Sequence, residues 1–186
     1  DGGYQYADFK AGEHPGDSWN WTEQIVPVGA FQELLEKAAK GELKVAGTLA
    51  YEALRIAAYR PAQGAETIER LIPHEVDWMR SAVHLTKGCY RGQETVAKVH
   101  NLGHPPRRLV LLQLDGTRSF YPKPGDEVLL GDKSVGVITS FGNHQDYGPI
   151  ALAIVKRNTD VDAGLLVQTD DGLVDAAKEV IVPPSA

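Results

Sequence analysis

A chain of 186 residues with a formal net charge of -6 has room for one substantial domain or two small ones. No apolar run approaches the roughly 20 residues that a membrane span needs, and no charged start, apolar core and small-residue cleavage site marks a signal peptide. The acidic surplus, 25 Asp and Glu against 19 Lys and Arg, argues against nucleic acid as a direct partner, because phosphate backbones are held by clustered Lys and Arg. One cysteine cannot form an internal disulfide, and it suits a reducing, cytoplasmic setting.

The opening tract, residues 1–20, is rich in Gly, Asp and aromatics without a clear period and reads as loop. With Asp1 in place of an initiator methionine, the chain reads as part of a longer one. Residues 21–28 carry β-branched side chains and predict a strand. Over residues 30–40 the apolar positions Phe31, Leu34, Leu35, Ala38 and Ala39 fall three and four apart, which predicts an amphipathic helix stopped by Gly41. A short strand at residues 43–46 is expected next. Thr48 is placed to cap a helix running to about Ala58. Residues 61–69 read as loop, and Pro73 biases Ile72 toward extended geometry. Residues 93–101 predict another helix, ended by Gly103 and the Pro105-Pro106 pair.

From there the composition changes. Residues 107–114, 127–130, 134–140, 151–156, 165–169 and 173–182 read as short strands separated by Gly, Asp and Asn turns. That spacing indicates an antiparallel barrel or sandwich. The expected organisation is therefore α+β, with a boundary at residues 103–106 that separates a mixed part, 1–103, from a barrel, 104–186.

The segment richest in chemistry is Lys87-Gly88-Cys89-Tyr90-Arg91-Gly92-Gln93-Glu94. Two glycines let a ligand approach the main chain closely. Lys87 and Arg91 are expected to favour the thiolate of Cys89, helped by the amides of a helix that starts after Gly92. Gln93 and Glu94 can hydrogen-bond a heterocycle, and Tyr90 can stack on one or serve as a core aromatic. Two readings of Cys89 stand side by side: a reactive thiol, or a small buried residue, as free cysteines usually are. His74, His84, His100 and His104 lie near this segment without the compact spacing of a helical metal motif, so no metal site is expected. His14 and His144 are expected to face solvent, Glu75 and Asp77 to cap or be solvated rather than act as acid or base, and Trp19, Trp21 and Trp78 to anchor cores rather than stack on a ligand.

The eight residues 87–94 resemble the signature of the YgfZ-type folate-binding proteins, relatives of the glycine cleavage T-protein (aminomethyltransferase) associated with iron–sulfur cluster assembly or repair. The flanks are similar too: Ala46-Gly47-Thr48 running to Leu54-Arg55, Ile72-Pro73-His74-Glu75, Arg107-Arg108-Leu109 and Gly136-Val137-Ile138-Thr139-Ser140. The resemblance covers residues 21–182 and implies the later part of a T-protein-like folate-binding domain followed by a six-stranded barrel. It implies tetrahydrofolate or a one-carbon derivative as cofactor, with Arg55 and Glu23 contacting the folate and Cys89 carrying thiol chemistry tuned by Lys87 and Arg91. Members of the family are nearly twice as long. The expected partners are therefore the N-terminal half of the same protein, present or as a separate chain, and iron–sulfur client or assembly proteins. A folate-dependent aminomethyl or one-carbon transferase and a folate-responsive binding module are the rival functions.

Overall fold

The computed structural model describes residue 16 and residues 19–85, 87–117 and 119–184. The expectations for most of the opening tract and for His14 fall on residues 1–15, outside the described residues. Helix α1 spans Val28–Ala39, α2 Thr48–Ala57, α3 Trp78–Ser81 and α4 Gln93–Leu102, with a 3-10 turn at Pro73–Val76. Six strands follow: β1 Arg107–Leu114, β2 Glu127–Leu130, β3 Lys133–His144, β4 Gly148–Lys156, β5 Leu165–Thr169 and β6 Gly172–Val180. They close into an antiparallel barrel in the order β1-β4-β3-β2-β5-β6. No helix among the described residues is long and apolar enough to cross a membrane.

The unbroken apolar run at 109–112 is explained by burial on two faces. Val110, Leu112 and Leu114 point into the barrel with Ala151, Ala153 and Val155 of β4. Leu109 and Leu111 point outward with Ile150, Leu152 and Ile154, under Ile56, Tyr59, Val76, Ile181 and Val182. A strand covered on both faces cannot alternate apolar with polar. The outward side of β1 and β4 is thus the floor on which the helical part rests.

Two glycines set how closely these layers approach. A Cβ at Gly136 would fall 2.8 Å from the Val155 Cα and closer still to the Ile154 carbonyl oxygen. Gly136→Ala is therefore expected to cost about 1–3 kcal/mol through forced backbone shifts, measurable as a lower midpoint in urea denaturation. At Gly142 a Cβ would meet the Ala53 Cα at 3.0 Å. This small-on-small contact brings the backbone of α2 down onto β3.

Three expectations for the helical part need correction. Residues 21–27 and 43–46 form no strand, and Val28 is the first residue of α1. Gly47, not Thr48, occupies the N-cap of α2, with no side-chain cap. The helix expected over 30–40 is present, but none of its residues is buried. In the barrel, the hairpin of β3 and β4 reaches His144 and Gly148, beyond the limits read from the sequence. His144 is half-buried there and stacks on Tyr147 with ring centroids 4.6 Å apart.

Candidate functional site

The residues singled out from sequence fall into two clusters. The first surrounds α2. Arg55 lies in its last turn with only 2% of its side chain exposed, because that turn packs on β3 and β4. Its Nε donates to Glu52, with the Oε2 at 3.2 Å. Nη1 donates to the Arg60 carbonyl at 2.7 Å and to Glu66 Oε2 at 3.2 Å. Nη2 donates to Glu52 Oε2 at 2.5 Å and to Ser140 Oγ at 2.8 Å. All five guanidinium N–H groups thus have acceptors within the chain.

Glu66, fully buried, receives Ser140 Oγ at 2.5 Å and the Ala62 amide at 2.8 Å. Burial alone would lower the Arg55 pKa, but the hydrogen bond to Glu52 and the charges of Glu66 and Glu52 more than offset it, and the net shift is upward. Arg55 is a charged strut joining α2, the loop after it and β3, with no N–H left over for a ligand. Glu52, Glu66 and Ser140 had not been singled out. Glu66 sits in a stretch that reads as ordinary loop, and only the fold carries Ser140 to it.

Glu23 sits in extended coil at the same end of the molecule. Its exposed carboxylate accepts the Trp21 indole N–H at 3.3 Å. Trp21 stacks on Trp19, with centroids 5.6 Å apart, and lies 4.6 Å from the Tyr51 ring of α2. The expectation that Trp19 and Trp21 anchor a core fails: Trp21 is 48% exposed and Trp19 half-buried. Together they form a half-open aromatic surface with a carboxylate at its edge. Trp78, by contrast, packs against the cluster on the outer side of β1 and β4.

The second cluster is built by the 3-10 turn, α4 and the loop before it. Glu75, fully buried, takes the Ile72 amide at 3.0 Å and a two-pronged contact from Arg107 of β1, Nε at 2.7 Å and Nη2 at 3.0 Å. That pair fastens the turn to the barrel. Asp77 pairs with Arg80 at 3.1 Å. His74 is buried beside His100 of α4, with centroids 6.1 Å apart and neither ring nitrogen hydrogen-bonded. Burial, followed by the nearby His100, lowers its pKa to about 4. Among the described residues no group of three or more His, Cys, Asp or Glu is placed to hold a metal ion.

Gly92 supplies the left-handed N-cap of α4 at φ 81°, a conformation that suits glycine. Cys89 lies three residues earlier as an exposed free thiol, which removes the small-core-residue reading. Lys87, Arg91 and Glu94 are exposed, and Gln93 is half-buried in the first turn of α4. Tyr90 is half-buried too, and the Lys87 ammonium lies 5.6 Å above its ring. The loop therefore presents its thiol and charged groups to solvent. The Arg55 and Glu23 cluster belongs to α2, which packs on β3 and β4, whereas the Cys89 loop leads into α4, which packs on the 3-10 turn that meets β1.

A closed six-stranded barrel with helices laid on its outer side gives an α+β fold of the aminomethyltransferase type. The solved structure of the glycine cleavage system aminomethyltransferase T from Bartonella henselae superposes with a TM-score of 0.68 at 18% identity, over 84% of this chain and 44% of that one. No family model matches. A chloroplastic protein of Arabidopsis thaliana named as a putative transferase is 32% identical over 138 residues, 74% of this chain and 31% of its own. An aminomethyltransferase of Streptomyces avermitilis is 31% identical over 128 residues, 67% of this chain and 34% of its own. The tRNA-modifying protein YgfZ of Escherichia coli is 28% identical over 151 residues, 78% of this chain and 44% of its own. The chain is thus a distant homologue of aminomethyltransferase and YgfZ proteins and spans less than half the length of these relatives.

Proposed function

We propose that this chain is the cysteine-bearing portion of a tetrahydrofolate-binding accessory protein for iron–sulfur cluster assembly or repair. The observation that carries the reading is the complete 87–94 signature with Cys89 held open to solvent just before α4, in a homologue of YgfZ. Cys89 is the group that touches a sulfur species or cluster, presented to an iron–sulfur client or assembly protein. Lys87 and Arg91 supply positive charge beside it.

Folate would rest on the aromatic surface of Trp19, Trp21 and Tyr51. The Glu23 carboxylate suits the pterin there, since it can accept two N–H groups. Arg55 does not fit as a direct contact, because its donors are spent; it holds α2 in place behind that surface. Tyr90, Gln93 and Glu94 line the thiol side.

Cys89→Ala tests the reading. Because the side chain is exposed, the variant should fold as the parent does, yet fail to restore cluster-enzyme activity in cells lacking the protein. Full rescue would reject the thiol role.

The Streptomyces aminomethyltransferase homologue favours a second reading, one-carbon transfer from an aminomethyl donor to folate. Formaldehyde or methylene-folate release by the parent, undiminished in Cys89→Ala, would favour it over the first.

A further inference from the structure

The two arginines that open β1 face opposite ways. Arg107 reaches outward to Glu75. Arg108 follows the inward alternation of Val110, Leu112 and Leu114 and stands opposite Val155, also inside the barrel. Its side chain is fully buried. Residues 157–164, which join β4 to β5, pass over it: Nε donates to the Arg157 carbonyl at 3.2 Å and Nη2 to the Thr159 carbonyl at 2.8 Å. Nη1 has no acceptor, and the hydroxyl of the same Thr159 is buried without a partner. Two orphaned polar groups therefore belong to residues in direct contact. A second cation arrives from β6. Lys178 continues the inward series of Val174 and Ala176, and its ammonium donates to the carbonyls of Asp160 and, at 3.2 Å, Ala163. Burial, then the charge of Arg108, lower the Lys178 pKa against the opposing pull of Asp160 and Asp162. Both of those carboxylates are exposed, and that of Asp160 accepts the Asp162 amide at 3.0 Å. At Arg108 burial lowers the pKa with no carboxylate to offset it, whereas at Arg55 Glu52 and Glu66 reverse the same effect.

We propose that Nη1 of Arg108 and the Thr159 hydroxyl hold one small monovalent anion of the halide class, sealed into the end of the barrel by residues 157–164. A buried charge without a counter-charge is costly, and the loop carbonyls offer it only dipoles. A water satisfies the two donors but leaves the charge uncompensated. An anion accepts from both donors and also opposes the charge of Lys178. The size of the donor set favours a spherical ion. Phosphate or sulfate presents four oxygens, and the inward neighbours Val110 and Val155 have nothing to donate to them. The bound ion ties β1, through Arg108, to the loop that leads into β5. It is thus a ligand of the barrel, independent of the folate surface at α2 and of the Cys89 loop.

A chloride titration of the chain at constant ionic strength tests this, with gluconate, too bulky for a closed site, as the replacing anion. The thermal midpoint of the parent should rise with chloride. Above the dissociation constant, each tenfold increase should add roughly 3–5 °C. Thr159→Val keeps the side-chain shape and removes one donor, so it should fold and need about tenfold more chloride for the same rise. Arg108→Met should lose the dependence altogether; if that variant does not fold, Thr159→Val carries the comparison alone. Crystals grown in bromide should show an anomalous peak within hydrogen-bond distance of Nη1 and the Thr159 hydroxyl. A midpoint indifferent to chloride would overturn the proposal, as would a rise at the same concentrations in Thr159→Val as in the parent. Density at that position without anomalous signal would make the occupant a water and overturn it too.

Discussion

Arg55→Ala is expected to cost about 3–5 kcal/mol of folding stability, as removing one partner of a buried charge pair does. The variant would strand the Glu66 carboxylate, which is fully buried and would keep only the Ser140 hydroxyl and the Ala62 amide. It would also cut the link between α2 and β3 made through Ser140. Replacing both charges, as in Arg55→Met with Glu66→Leu, removes the stranded ion along with the strut and should cost clearly less than the single change, since whole buried pairs are often replaced at little net cost. Urea denaturation of the parent and the three variants gives the comparison. A single-variant loss no larger than that of the exposed Arg91→Ala would show that the strut carries nothing. Loss of folate binding in Arg55→Ala would accordingly report a displaced α2 rather than a missing ligand contact.

This reassignment shows where sequence reading stops. The position of Arg55 at the end of an amphipathic helix is legible, because helical periodicity is local. Its acceptors are not: Glu66 follows through an irregular loop, and Ser140 lies 85 residues away on a barrel strand. The barrel was legible strand by strand, because two-sided burial writes itself into runs such as Leu109-Val110-Leu111-Leu112. The hairpin tip at 141–148 was not, since Gly142, Asn143 and Gly148 look like punctuation although the ladder runs through them to the turn. Residues 21–28 and 43–46 fail for the opposite reason. Their side chains suit a strand, but a strand needs ladder partners, and they have none among the described residues. The openness of Cys89 likewise depends on α4 beginning after Gly92 and leaving the loop outside the core. Local sequence left that point undecided.

Acid is expected to weaken the second cluster through His74. Its pKa falls from 6.5 to about 4 because burial, and then the neighbouring His100, disfavour the charged ring. Between those values the unfolded chain binds a proton that the folded chain does not, so stability declines as pH drops below about 6.5 and this contribution levels off near pH 4. Above pH 6.5 the ring is neutral in both states and costs nothing. The fall from 6.5 to about 4 corresponds to at most about 3.5 kcal/mol, from roughly 1.4 kcal/mol per pH unit. His74 stands next to Glu75, whose pairing with Arg107 fastens the turn to β1, and packs beside α4, the helix that follows the Cys89 loop. The second cluster should therefore loosen before the barrel. His74→Leu cannot take up the proton, and neither ring nitrogen has a hydrogen bond to lose. Carboxylates elsewhere titrate equally in both proteins, so the difference between them isolates the histidine. Denaturation at pH 7.5, 6 and 5 should show the parent losing ground to the variant step by step, and parallel pH profiles would mean that His74 is not the group being charged.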